Sequence, residues 1–580
     1  MLKYVKRYWY FALLAPLFMI GEVISDLLQP QFMSKIIDDG VLGLNNKGIG
    51  DLDIVINTGL VMILIVFIGA LCGVLSGVFS QLCGQKFAHD LRRDCFKRIM
   101  NLSLEQTYEF STGSLITRIT NDITQIQNLL SMMIRGFVRT MALFIGGIFC
   151  MLALDISFGL ILGCALPFVI IFIFYFLKKA KPEYKKLQER LDNLNSIMQE
   201  DVSGARVIKA FVKEDDEINK FDKANKKLSK VQLFVLKLFS YMNPISNLIL
   251  NFTIIAVIYV GSINIKNNIG ITTGNIIAAV TYTSIILGAL LRMANLFQTW
   301  SRAQVSVFRI NQVLNCLPVI NDGEFSGDTK IKGKLELRNV SFAYPDSPKV
   351  NVLENLNLVI NPGETIGILG STGSGKSSLI NLFPRFYDCV KGEVLIDDVN
   401  VKDYKIDALR KKIAIALQKS ELFSTTIFEN VTWGKEDATL DEVKKVCKIS
   451  QAKDFIESKE DGYFTMVLEK GMSLSGGQKQ RINIARTILK NSEIIIFDDA
   501  TSALDLKTES LLYNALNKEY KDTTKIIIAQ RIASVINADR IVVMDKGKIV
   551  DIGSHDELIK SSKIYQEIYN SQLKGGRSYE

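Results

Sequence analysis

Along the first 300 residues, apolar runs long enough to cross a bilayer alternate with polar segments rich in helix formers. Beyond them the apolar runs shorten to four or five residues, separated by polar, glycine-bearing turns. Crossing the hydrocarbon core takes about 20 largely apolar residues. Six segments qualify: 9–31, 54–85, 134–154, 156–177, 238–265 and 267–291. The first carries Glu22 and Asp26, the second no charge, and the third Arg139 near its start. Little more than Asp155 separates the third from the fourth, which predicts a tight hairpin. Lys266 splits the last two.

The polar segments fix orientation. Lys3, Lys6 and Arg7 precede the first span, and the segments 86–133 and 178–237 are rich in Lys and Arg, whereas the alternate loops are short and nearly free of them. By the positive-inside rule, both termini and both long segments are expected in the cytoplasm. The two long segments read as helical extensions of the spans, each with a break where a short transverse helix fits, near 111–122 and 204–214. Glu22 and Asp26 admit two readings. Charge inside a span is costly and is usually kept for a role; alternatively the first span runs past the bilayer and leaves them at its wet outer end, the reading preferred for Asp26 and left open for Glu22. The chain thus divides into a transmembrane domain over 1–302, a polar linker over 303–333 and a strand-rich domain over 334–580.

Composition agrees with this division. With 580 residues, 48% of them hydrophobic and 22% charged, the chain needs at least two domains with its apolar and charged stretches segregated. The net charge of +9 is explained by Lys and Arg flanking the spans, so no nucleic-acid partner is expected. The eight cysteines form no CxxC pair, and Cys72, Cys83, Cys150 and Cys164 sit in apolar runs, which argues against a disulfide framework or a zinc site. The first apolar run lacks the short core and small-residue cleavage site of a signal peptide.

Chemistry concentrates in the second domain. The apolar strand 366–369 runs into Gly370, Ser371, Thr372, Gly373, Ser374, Gly375, Lys376 and Ser377, and a helical run follows from Ser378. This is GxxxxGK[ST] in its strand–loop–helix setting. Glycines let successive N–H groups curl around phosphate oxygens, and the helix N-terminus adds its positive end. Lys376 is expected to reach the terminal phosphates and Ser377 to offer a hydroxyl to Mg2+. The strand 494–497 ends in Asp498, a carboxylate placed to hold the same ion.

Between these elements lies Leu474, Ser475, Gly476, Gly477 and Gln478, followed by a basic helix. Here the chain resembles the ABC transporter family, whose signature is LSGGQ about 100 residues after the phosphate loop. Further family elements fall in order. Tyr344 matches the adenine-stacking aromatic and Gln418 the Q-loop glutamine, which joins Ser377 and Asp498 around the metal. Glu469 stands just before the signature, and Ser502 to Asp505 match the D-loop. The first half is similar to ABC exporters, with 111–122 and 204–214 as the coupling segments, and no peptidase domain is expected ahead of the first span, against the peptide-processing branch. The resemblance implies an all-α six-helix transmembrane domain fused to an α/β P-loop cassette that takes ATP and Mg2+. It also implies a dimer in which each ATP lies between one cassette's phosphate loop and the other's signature, with Ser475, Gly476, Gly477 and Gln478 acting on the partner's site.

Two positions depart from the family. The residue after Asp498, a water-polarising Glu in the family, is Asp499, and the switch His is Gln530. His555 lies in a stretch the family uses as a surface turn. The expectation is a degenerate subunit of a heterodimeric exporter: it binds ATP, hydrolyses it poorly and completes the competent site of a second half-transporter. The alternatives are a homodimeric exporter with slow hydrolysis and an ATP-binding regulator without transport. Polar groups in the spans, Asn243, Asn247, Asn251, Asn295 and Thr299, suit small amphipathic substrates, drugs or lipids, and equally suit helix–helix hydrogen bonds. Ile-, Lys- and Asn-heavy composition points to an AT-rich bacterial genome, so the six spans are expected in a bacterial plasma membrane.

Overall fold

The computed structural model describes residues 1–45, 48–267 and 270–576, apart from a few side chains that include those of Asn243 and Asn295. Two compact units result. One comprises Met1–Met100 with Thr112–Cys316, the other Asn101–Ser111 with Leu317–Glu580.

Among the described residues, the first unit contains six helices long and apolar enough to cross a membrane: α1 (Trp9–Val41), α2 (Leu52–Met100), α3 (Thr112–Leu154), α4 (Ile156–Ser203), α5 (Glu214–Lys266) and α6 (Thr273–Asn315). Asp155 alone makes the α3–α4 turn. Its backbone is extended, and its carboxylate caps α4 by accepting from Ser157 N at 2.7 Å, the role expected of an N-cap Asp. Apolar side chains of α1, α3, α4, α5 and α6, among them Met19, Leu143, Phe158, Val257 and Ile286, form a buried cluster. Tyr282 is buried with them and satisfies its hydroxyl on the carbonyl of Leu27 at 2.6 Å. Helices α1 and α2 approach closely because Gly69 has no side chain; a Cβ there would collide with Ser25 Oγ.

Two expectations change, and the acidic pair of α1 gains a partner. Arg139 of α3 pairs with Asp26 at 3.1 Å and with Glu22, one turn away on α1, at 3.0 Å. Pairing lowers the cost of these charges inside the bundle. The sixth helix starts at Thr273, capped by Thr272, rather than at 267, and it runs through Asn315. Residues 303–315 are therefore helix and not linker, because Ala303, Ser306, Ile310 and Val313 bury one face. Ser306 donates to Asp122 at 2.7 Å, and Arg118 donates to the carbonyl of Arg309 at 2.9 Å, tying α6 to the start of α3. The short helix at the first break is Leu104–Phe110, ahead of 111–122. Ser103 and Gln106 form a capping box at its start, and Ser111, at φ 54°, breaks it from α3. Gln106 Nε2 donates to the carbonyl of Leu317 at 2.7 Å, within the second unit. The short helix at the second break is Ala205–Ala210, with no buried residue.

The second unit holds two sheets. One is antiparallel, built from β1 (Leu335–Phe342), β2 (Leu353–Ile360), β4 (Lys391–Ile396) and β5 (Val399–Asn400) in the order β2-β1-β4-β5. The other has the order β10-β9-β3-β8-β7-β6, from β3 (Thr365–Gly370), β6 (Ile413–Ala416), β7 (Ile494–Asp498), β8 (Thr524–Ala529), β9 (Arg540–Asp545) and β10 (Lys548–Gly553). Strands β3, β7 and β8 are buried along their whole length, as parallel strands covered on both faces must be. Their register aligns Leu369 with Ala529 and Ile528 with Asp498. The residues following all three strands thus emerge together at one carboxyl edge, where ligands of open α/β sheets bind.

Candidate functional site

The phosphate loop follows β3 at that edge and leads into α7 (Lys376–Ile380). Gly373 and Gly375 take φ of 85° and 97°, the left-handed conformations that curl the loop. The Lys376 ammonium is buried and donates to the carbonyls of Gly370 (2.7 Å) and Ser371 (2.8 Å) and to Ser374 Oγ (3.3 Å). Burial pulls its pKa down, opposed by Asp499 and Asp498. A buried cation held by loop oxygens, in a loop that Gly373 and Gly375 curl at positive φ, fits a polyphosphate. Ser377 Oγ donates to Asp498 Oδ1 at 3.2 Å, so the hydroxyl and carboxylate suited to Mg2+ are already adjacent. When bound, the ion would offset charge on the phosphates. The chain's own residues hold and orient the nucleotide.

Asp499 is the centre of the remaining contacts. Its N–H is held by the carbonyl of Ile528 at 3.0 Å, and its φ is 49°, a region where Asp is more at ease than most residues. Its Oδ2 accepts from Gln530 Nε2 at 3.1 Å, from the end of β8, and from Gln418 Nε2 at 3.3 Å, beyond β6. Burial raises the pKa of both Asp498 and Asp499; for Asp499 the Gln418 hydrogen bond and Lys376 act against it. The structure thus brings Gln418, Asp498, Asp499, Gln530, Lys376 and Ser377 into one cluster. Tyr344, after β1, has its hydroxyl 2.9 Å from Ser378 Oγ and packs edge-on against Phe342 and Tyr387.

Ser475, Gly476, Gly477 and Gln478 stand apart from that cluster in their bonding. They open α8 (Gly476–Leu489), with Ser475 and Gln478 closing a reciprocal capping box. Ser475 and Gly476 are exposed. Asp505 caps α9 (Leu506–Glu519), accepting from Thr508 N at 3.0 Å. His555 begins a short helix, with Nδ1 2.6 Å from Tyr565 OH, and takes no part in the cluster.

Two positioning groups escaped sequence reasoning. Gln480 Nε2 donates to Ser502 Oγ at 3.1 Å and its Oε1 accepts from Ala503 N at 2.9 Å, tying the signature helix to the D-loop. Gln572 Nε2 donates to the carbonyl of Gln530 at 2.8 Å. The glutamine after the signature was a local hint to the first. Nothing local points to the second.

Family models decide the identity. The ABC transporter transmembrane region matches residues 12–290, and the ABC transporter ATP-binding domain matches 353–502. The chain belongs to the ABC transporter family. Like other half-transporters it joins one membrane region to one cassette, and it is a multi-pass membrane protein. The ABC transporter ATP-binding protein YfiB of Bacillus subtilis is 36% identical over 572 residues, covering 99% of this chain and 98% of that one. The putative multidrug export ATP-binding/permease protein YgaD of the same species is 34% identical, covering 85% of each. An ATP-dependent lipid A-core flippase of Syntrophus aciditrophicus is 32% identical, covering 89% of this chain and 85% of its own. The fold is that of a bacterial Atm1-family ABC exporter solved with ATP bound: TM-score 0.81 at 24% identity, covering 98% of this chain and 99% of that one.

Proposed function

We propose that this ABC half-transporter is the hydrolysis-weak member of an exporting pair. It holds ATP and Mg2+ through residues 370–378, Tyr344, Gln418 and Asp498, and it lends Ser475 to Gln478 to the competent site of a second half-transporter. The observation that carries the reading is the double amide grip on Asp499. The side chain at the position of the water-polarising Glu is one methylene short, and it accepts from Gln418 and Gln530 at once. Each N–H donor opposes the rise in pKa that burial gives this carboxylate and must be displaced before the same oxygen can take a water proton, and Gln530 carries no ionisable imidazole to stand beside it. An intact, exposed signature on the same chain is then useful only to a partner.

Pairing draws support from the tip of the α4–α5 hairpin. In and just after helix Ala205–Ala210, Val207, Phe211 and Val212 are 61%, 71% and 82% exposed, apolar surface of the kind that a second subunit covers. The distribution of Lys and Arg supports a cytoplasmic cassette and cytoplasmic termini, and the multidrug and lipid-flippase relatives support amphipathic cargo, drug or lipid. ATP turnover of the full chain in nanodiscs, alone and with a candidate partner, tests this. Slow turnover alone and fast turnover in the pair are expected; fast, vanadate-sensitive turnover alone would sink it. A homodimer that turns over slowly through Asp499 is the second reading, favoured by the placement of that carboxylate in the cluster.

A further inference from the structure

One face of α2 crosses from the apolar part of the helix into its basic part without interruption. Val74, Val78, Gln85, His89 and Arg92 recur at helical spacing along it. Its apolar part, Ala70, Val74, Val78 and Leu82, walls a groove of about 730 Å3, with Glu22 and Arg135 opposite. Gln85 also lines a second cavity of about 690 Å3, together with Lys86, His89, Arg92 and Arg93 and no carboxylate. From residue 70 to residue 82 the helix rises roughly 18 Å, a little more than the ~15 Å that one leaflet's chains occupy.

Aromatic side chains mark the depth of the basic cavity. Lys86 Nζ lies 5.7 Å from the ring of Tyr8 and 4.9 Å from that of Phe11, Tyr4 meets Phe87 edge-on, and Trp9 is 63% exposed beside them. Tyr and Trp of this kind settle at the headgroup level, where the charge-free run of α2 also ends. Of the cavity's basic groups only Arg93 is held by the nearby acids, by Asp94 and by Asp90 at 3.8 Å, which leaves Lys86, His89 and Arg92. Asp90 is buried and accepts from Arg7 (3.1 Å) and Tyr8 OH (3.0 Å); Asp94 takes Arg93 at 3.0 Å; Asp122 takes Ser306 and Arg309. Arg92 is oriented by Thr124 Oγ1 at 3.1 Å, while Lys86 and His89 are exposed.

We propose that this face binds an anionic phospholipid of the cytoplasmic leaflet, its phosphate among Lys86, His89 and Arg92 and an acyl chain along Val74 to Leu82. Basic cavities at the cytoplasmic ends of spanning helices recognise such headgroups, and here an apolar groove of leaflet depth continues from the cavity. The site depends on neither pairing nor hydrolysis. Native mass spectrometry tests it on the full chain released from nanodiscs of equal POPC and POPG. The wild type should retain POPG over POPC by roughly twentyfold. K86Q/R92Q should bring the ratio near one, about fivefold per basic group removed. K227Q/K230Q, on an exposed basic stretch of α5, should leave the ratio unchanged, and nucleotide binding should persist in both variants. Equal retention of the two lipids by the wild type, an equal fall in the α5 variant, or displacement of POPG by millimolar inorganic phosphate would each overturn the assignment, the last by making this a site for free phosphate.

Discussion

Substituting Asp499→Glu lengthens the side chain by one carbon–carbon bond, about 1.5 Å of reach. The carboxylate of Asp499 is now drawn back between Gln418 and Gln530 at 3.3 and 3.1 Å. A displacement of about 1 Å at a reacting group costs on the order of a hundredfold in rate, or about 2.7 kcal/mol of barrier. The variant should therefore raise vanadate-sensitive ATP turnover of the isolated full chain by roughly two orders of magnitude, and adding Gln530→His should contribute about a further tenfold. The same substitution should cost stability. At φ 49° a Glu backbone is less comfortable than Asp, a penalty of up to about 1 kcal/mol, so the more active variant should melt lower. Opposite movement of activity and melting temperature separates a restored base from a general stabilisation. Lys376→Ala should abolish turnover in every background, confirming that the signal belongs to this phosphate loop. If the unaltered chain alone already turns over at about 10 per second, a usual enzymatic rate, and Asp499→Glu leaves that rate unchanged, the reasoning from side-chain length is wrong and Asp499 suffices as it stands.

Gly476→Asp, at an exposed position where a Cβ meets nothing nearer than Ala503 Cβ at 3.9 Å, should leave ATP binding by this chain intact and lower turnover of the assembled pair at least a hundredfold; equal loss of both would remove the division of labour. Asp498→Asn should melt higher than wild type at pH 7 when no nucleotide is present. Burial raises the folded pKa of Asp498, so the folded state binds more protons and loses stability as pH rises through that window; the advantage of the variant should vanish on lowering the pH below about 4, the unfolded value. Gln480→Leu should destabilise the cassette by about 1–3 kcal/mol by leaving Ala503 N–H without its acceptor, measurable by chemical denaturation, and should slow the pair more than it weakens ATP binding. Arg139→Gln should cost about 1–2 kcal/mol, less than a fully buried pair because Arg139 is 36% exposed; Glu22→Gln/Asp26→Asn in the same chain should recover most of the loss in thermal melting.

Spans and phosphate loop were legible because each is a local pattern: an unbroken apolar run, and glycines, lysine and serine at fixed spacing between strand and helix. The hairpin at Asp155 was legible for the same reason. Two boundaries were misplaced although a local signal existed. Ala303, Ser306, Ile310 and Val313 follow helical spacing and continue α6, but polar neighbours made the stretch look like linker. Ser103 and Gln106 form a capping-box pattern that marks the start of the Leu104–Phe110 helix, eight residues before the break assumed at 111. The pairing of Asp26 with Arg139 was beyond reach, since it joins residues 113 apart in the chain. So was Gln572, whose hydrogen bond to the carbonyl of Gln530 spans 42 residues. Local spacing reveals which chemistry a segment can supply, whereas the partner that restrains it is set by packing.

That distinction bears on the two departures from the family pattern. Taken as letters, Asp499 and Gln530 are two conservative replacements in an otherwise intact motif set. Packed together, they face each other, and Gln418 completes the grip from a third strand end. Position 499 would have to release two amide donors before its carboxylate could polarise water, whereas Ser475 and Gly476 stand exposed with their hydrogen bonds already closed within the cap. Gln480 links this free signature to Ser502 and Ala503, three and four residues beyond Asp499. In the proposed pair, a closing of the partner's site on the signature would therefore press on the D-loop next to Asp499. A weak site there would sense its neighbour's occupancy without turning over itself, a role that retains ATP binding and makes hydrolysis dispensable.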